Sequence, residues 1–316
     1  MNKPNKKIHD EETFLDYRRK QEREIISSSD TRNPLSSLLT VELNTTELCN
    51  RKCIFCPRYD KDVYPNRNLN MSVETAKLIV ENLANFNYLG KISYSGYSEN
   101  LLNKKFCDII SIMRESLPNN VFECNTNGDF LNKDYTKKLF ASGLSVLYIN
   151  LYDGVEQIER FTEIMEEAEI QSSKYKFRAH YTQEGAREKT DKNNYGLYLN
   201  NRGGNITWIG FEESDIDSLK GKPCYYPFYK MFVDWNGDVL FCSNDWSKEI
   251  IVGNLTKQSL MDVWFGEKMF EVRERLAKGD RSQSPCSNCS VKGTLFGEDS
   301  FKILNKWYED SNNRSH

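Results

Sequence analysis

The chain has 316 residues, 38% of them hydrophobic and 12% aromatic, enough for one large packed unit and a smaller one. A formal charge of -3 and a pI near 5.8 disfavour a general binder of nucleic acid or of anionic membrane surfaces. No apolar run approaches the roughly 20 residues that span a bilayer, and Met1 to Asp30 is polar without an apolar signal core, so a cytoplasmic location is expected.

Residues 1–35, rich in Lys, Glu, Arg and Ser, read as a solvated, partly helical extension. From Leu38 short strand patterns alternate with amphipathic helix patterns. Strands are expected at Leu39–Leu43, Lys91–Ser95, Val121–Asn125, Val146–Leu151 and Lys176–Tyr181, and helices at Val73–Asn87, Lys105–Glu115, Lys133–Ser142 and Gln157–Ser172. Repeated β-then-α units imply a parallel sheet. Residues 183–205, with Gly185, Gly196, Gly203 and Gly204, read as a long irregular connection. Beyond Pro223 the pattern becomes a hairpin, Met231–Trp235 and Asp238–Phe241 around an Asn236-Gly237 turn, followed by a helix over Ser259–Lys278. The expected division is a polar extension (1–35), a βα unit (36–215), a second small domain (216–300) and a C-terminal tail (301–316).

Nine cysteines in a chain without an export signal point to metal or redox chemistry more than to disulfides. Cys49, Cys53 and Cys56 follow the first strand at a spacing that can hold three irons of a cubane cluster and leave the fourth open. A zinc knuckle, a disulfide or buried thiols are the alternatives, but zinc normally takes four closed N/S ligands and no histidine lies near in sequence. Cys224, Cys242, Cys286 and Cys289 form a second set that can close a metal site completely, with zinc or with an iron-sulfur cluster. Cys107 lies among Phe106, Ile109, Ile110 and Met113 and is expected in a core. A lone strand histidine such as His180 is expected to be structural.

The Cys49/Cys53/Cys56 run, with Phe55 before its third cysteine, resembles the radical S-adenosylmethionine (SAM) superfamily. Cys224, Gly237 five residues before Cys242, Gly253-Asn254-Leu255, Trp264 and the Cys286/Cys289 pair resemble its SPASM/twitch auxiliary-cluster domain. The resemblance covers about residues 38–292. It implies an α/β fold, a partial (β/α)6 TIM-like barrel with Ile206–Ile209 as sixth strand, carrying a small C-terminal domain of a hairpin plus helix. It implies two 4Fe-4S clusters, one on Cys49, Cys53 and Cys56 that binds SAM at an open iron, and one auxiliary. No cysteine follows Cys289, so a single auxiliary cluster is expected, unlike full SPASM domains. Ser95-Gly96-Tyr97-Ser98-Glu99-Asn100 stands where the family commonly has Gly-Glu-Pro; it keeps the acid and replaces its neighbours, making Ser98 and Glu99 candidates for the methionine amino group. Asn125 and Thr126, in Cys124-Asn125-Thr126-Asn127-Gly128, resemble a ribose-contacting segment. Arg178 is the candidate for the cofactor carboxylate, with Arg202 a weaker one. Cys124 is read as a buried bystander or a hydrogen-atom donor.

The implied activity is reductive cleavage of SAM to a 5'-deoxyadenosyl radical that abstracts hydrogen from substrate. The four-cysteine spacing resembles that of aminocyclitol dehydrogenases, so oxidation or epimerisation of a sugar-type metabolite is the leading expectation. A peptide-modifying maturase is a second, although these often carry a recognition domain of about 80 residues, larger than this extension. A non-catalytic iron-sulfur or zinc protein is a third. Expected partners are a small-molecule or peptide substrate and a reductant such as flavodoxin or ferredoxin, with no membrane and no nucleic acid.

Overall fold

The computed structural model describes residues 14–154, 156–180, 200–210 and 213–314. Tyr181 and residues 183–199 of the expected irregular connection lie outside them, as do residues 1–13 of the extension.

Five parallel strands, β1 (Thr40–Leu43), β2 (Lys91–Tyr94), β3 (Phe122–Thr126), β4 (Val146–Leu151) and β5 (Tyr175–Ala179), lie side by side in chain order. Between them run α2 (Val73–Asn85), α3 (Phe106–Ser116), α4 (Lys133–Ala141) and α5 (Glu156–Glu167); α1 (Phe14–Ser27) precedes β1. Capping side chains set two helix starts: Ser72 accepts from Thr75 N before α2, and Asn132 from Tyr135 N before α4. The sheet is open, as a partial barrel requires.

Side chains alternate across the strands and divide the molecule into two environments. Val41, Leu43, Ile92, Tyr94, Phe122, Cys124, Leu147, Ile149 and Phe177 pack with Ile79, Leu83, Ile110, Met113, Leu139, Phe161 and Met165 of the covering helices. The positions between them carry Glu42, Ser93, Glu123, Asn125, Tyr148, Asn150 and Arg178, so the concave face is polar. Cys107 and Cys124 both belong to the helix-side core.

Three sequence expectations are corrected. Residues 206–209 form no strand; the hairpin β6 (Lys230–Val233) and β7 (Asp238–Leu240) joins the sheet instead, β6 lying parallel to β1, with β8 (Ile251–Asn254) beyond β7. The small C-terminal unit therefore continues the barrel sheet, giving eight strands in the order β5-β4-β3-β2-β1-β6-β7-β8. The helix expected over Ser259–Lys278 is two, Leu260–Trp264 and Glu267–Ala277, because Gly266 is extended (φ -64°, ψ 156°) and caps the second. The extension and the tail are also more ordered than their polarity suggests. In α1, Arg18 reaches Glu123 at the N-terminal edge of β3 (2.7 Å). The final helix, Glu298–Arg314, buries Leu304 and sets Phe301 against Tyr225 and Phe228. No helix among the described residues is long and apolar enough to cross a membrane.

Candidate active site

Cys49, Cys53 and Cys56 sit on the loop that leaves the C-terminal end of β1, the edge where barrels place reactive groups. Polar side chains shape that loop. Asn66 grips Cys49 from both sides, accepting from its N–H and donating to its carbonyl, each at 2.9 Å. Arg58, almost fully buried, donates to Tyr97 O, to Glu47 O (2.9 Å) and to Asn66 Oδ1 (2.8 Å). Arg51, inside the cysteine run, forks onto Asp129 and Asp153 at 2.6–2.7 Å and lies over the Tyr152 ring. The loop is thus clamped to the turns that follow β3 and β4.

The three thiols share one largely buried setting. Burial pushes the Cys49 thiol up to about 11 and the Cys53 thiol up to about 12, and on Cys53 the neighbouring Cys56 and Cys49 add to that shift. Burial also raises Cys56. A cation placed among three such sulfurs would favour their thiolate forms.

The other proposed cofactor residues converge on the same edge. Glu99, 2% exposed, accepts from Thr126 Oγ1 (2.9 Å), Asn127 N (2.7 Å) and Leu101 N (3.1 Å); burial outweighs these bonds and lifts its carboxyl to about 7. Ser98 donates to Asn44 Oδ1 (2.7 Å), and Asn44 donates to Asp234 (2.8 Å). Arg178 donates to Asn125 Oδ1 (2.9 Å) on the concave face, and burial draws its guanidinium down to about 10. Phe55 stacks on Tyr152 (5.8 Å) and lies 6.1 Å from His180. Cys124 is buried on the opposite face of β3, among helix-packing residues, away from this edge.

Cys224, Cys242, Cys286 and Cys289 line one cavity of about 390 Å³, open solvent at its mouth included, with Arg281 and Gly203 in its wall. The four thiols thus share one pocket wall, although they stand far apart in the chain. Backbone N–H groups point at the sulfurs: Asn244 N at Cys242 (3.3 Å), Val291 N at Cys289 (3.4 Å), and Tyr226 N at Cys224. Such donors stabilise cluster-bound thiolates and tune their potential.

Two links join the sites. Trp208 Nε1 donates to Ile54 O (2.6 Å), while Asn201 binds Asn288 O (2.6 Å) and Ser290 Oγ (2.9 Å), so residues 201–208 tie the cysteine loop to the Cys286/Cys289 turn. Arg202 lies in this link. Lys248, past Cys242, pairs with Asp234 (2.5 Å) and with Glu47, two residues before Cys49. Around it Tyr64, Tyr97, Phe232, Leu240 and Trp246 form a buried cluster against Cys56. Sequence reasoning missed Arg51, Asp129, Asp153, Glu47, Lys248 and Trp208, because each acts through a partner remote in the chain. Only Arg51 carried a local signal, its place within the cysteine run.

An open parallel sheet with three thiols at its C-terminal edge and four more in an appended hairpin unit defines the radical SAM class. The chain belongs to that superfamily: residues 43–170 match the Radical SAM superfamily, and residues 224–290 match SPASM, the iron-sulfur cluster-binding domain. It is 28% identical over 261 residues to the S-adenosyl-L-methionine-dependent 2-deoxy-scyllo-inosamine dehydrogenase of Niallia circulans, covering 81% of this chain and 93% of that protein. In fold it is similar to BtrN in complex with AdoMet and 2-DOIA, with a TM-score of 0.67 and 24% identity over 83% of this chain and 96% of that one. It is also similar to anSMEcpe with bound AdoMet, with a TM-score of 0.55 and 13% identity over 88% and 94%. The SAM-binding 4Fe-4S cluster and auxiliary iron-sulfur binding follow from the two domains.

Proposed function

We propose that this protein is a radical SAM dehydrogenase that oxidises a hydroxyl-bearing carbon of a sugar or aminocyclitol. In this reading Cys49, Cys53 and Cys56 hold the SAM-binding cluster and Cys224, Cys242, Cys286 and Cys289 a single auxiliary cluster. The observation that carries it is the four-thiol cavity. Four thiols close a site and leave no position for substrate, which suits a redox role, and oxidation needs one. The likeness to the 2-deoxy-scyllo-inosamine dehydrogenase, extending over most of both chains, supports the substrate class.

When bound, a reduced 4Fe-4S cluster and SAM supply a 5'-deoxyadenosyl radical that removes a hydrogen atom from a substrate C–H bond. The chain holds the geometry and keeps water out. The Arg51 clamp fixes the cysteine loop, and Phe55, Tyr152 and His180 form an aromatic wall beside it. Glu99 and Ser98 stand at the end of β2 as candidates for the methionine amino group. Asn125 and Thr126 are the candidates for the ribose, and Arg178 for the carboxylate. A flavodoxin- or ferredoxin-type protein would be the reductant, and the enzyme would work in the cytoplasm.

The test is anaerobic reconstitution with dithionite and SAM in the presence of 2-deoxy-scyllo-inosamine and related polyols. The reading expects 5'-deoxyadenosine together with a ketone two mass units lighter than the alcohol, and deuterium transfer from the carbinol carbon into 5'-deoxyadenosine. Cofactor cleavage coupled only to a peptide, or an epimer in place of a ketone, would overturn it.

A further inference from the structure

His180 follows β5, and its N–H donates to Leu151 O (2.7 Å), so the sheet fixes its place. The side chain is buried, with 8% exposure. Nε2 lies 3.0 Å from Asn150 Oδ1, while Asn150 Nδ2 donates to Thr126 O (2.9 Å). The amide therefore offers only its oxygen to the ring, and Nε2 must carry the proton. Nδ1 is left as a bare lone pair, buried and without a hydrogen-bond partner among the described residues. Buried acceptors of this kind are rare and call for a donor.

The surroundings narrow what that donor is. Burial and the guanidinium groups of Arg178 and Arg202 hold the imidazole neutral. The same two cations disfavour an ammonium donor, whereas a hydroxyl donates without charge. Tyr152 stacks on one side of the ring (5.4 Å), and Phe55 of the cysteine loop lies 6.1 Å away. The ring thus stands in an aromatic wall beside the loop that carries Cys53 and Cys56.

We propose that His180 Nδ1 accepts a hydrogen bond from a hydroxyl of the bound ligand, supplied by the ribose of SAM or by the alcohol of a polyol substrate. The second source rests on the dehydrogenase reading. The sequence had marked His180 as structural; the Nε2 bond satisfies that role, and Nδ1 goes beyond it.

Binding is measured by equilibrium dialysis on the cluster-loaded enzyme, with SAM alone and with 2-deoxy-scyllo-inosamine added to the SAM complex, in wild type, His180→Phe and His180→Asn. Phenylalanine keeps a ring and deletes the acceptor, while asparagine places an amide oxygen near the Nδ1 position. The Kd of one ligand is expected to rise at least about tenfold in His180→Phe and to return within about threefold of wild type in His180→Asn. A rise for SAM assigns the ribose, and a rise for the aminocyclitol assigns the substrate alcohol. If wild type does not bind the aminocyclitol, the dehydrogenase reading suffers and the SAM arm alone still decides the role of His180. Unchanged affinities for every ligand that wild type binds would overturn the proposal, as would a loss in His180→Asn equal to that in His180→Phe. The 15N resonance of Nδ1 in wild-type protein, with clusters oxidised, provides a check independent of folding in the variants: it should move upfield on ligand addition, and a fixed resonance would contradict the proposal.

Discussion

Single atoms decide how the cysteine sites work. Gly293 stands against Cys224, and a Cβ built on it would lie 2.3 Å from that sulfur. Gly293→Ala is therefore expected to lose about four of about eight irons while the cluster on Cys49, Cys53 and Cys56 is retained, which iron analysis and EPR would show; full iron content would contradict the assignment. Glu99 offers a second test at this scale. Burial raises its folded carboxyl to about 7, above the unfolded value of 4.5, so its contribution to stability is fully present below about pH 4.5 and is lost as pH rises through about 7. Urea unfolding of wild type and Glu99→Gln should show wild type losing on the order of 3 kcal/mol relative to the variant between pH 4.5 and 8. A constant gap would place Glu99 in a more solvated setting. The cysteines were legible because their spacing is itself the chemistry. The residues that brace them were not, since Arg51–Asp129 and Lys248–Glu47 join positions 78 and 201 residues apart.

Elements were legible where one periodicity governs them. The five barrel strands and α2 to α5 fall within a few residues of the pattern in the sequence, because each has one face against the core. Two of the failures share a cause: local polarity cannot report a distant partner. Ile206 and Ile209 are buried as a strand's residues would be, yet their segment is held by Asn201 and Trp208 to loops on either side. Helix α1 looked solvated because its polar residues were read as facing water. Instead Arg18 meets Glu123, which is fully buried and also lies 3.4 Å from Lys91. Arg18→Ala leaves that carboxylate with one long ion pair, and the expected cost is about 3 kcal/mol, read as a lowered thermal midpoint. No change in midpoint would show that α1 is dispensable to the barrel.

At the scale of the whole molecule, one sheet carries both sites. The hairpin β6–β7 pairs on the free edge of β1, so the strand that launches the three-thiol loop is hydrogen-bonded to the unit that holds the four-thiol cavity. Composition only narrowed the field, and the resemblance carried by two cysteine motifs gave both the class of protein and its two centres. Their union in a single sheet came from neither, because strand order across 190 residues leaves no local trace.

The central claim is that these are two separate clusters with different work, and it is tested most directly by iron content and 5'-deoxyadenosine formation in the Cys49/Cys53/Cys56 triple alanine variant. The account predicts that about four of about eight irons remain and that cofactor cleavage is abolished. Zinc in the C-terminal site, or cleavage that survives the three substitutions, would contradict it.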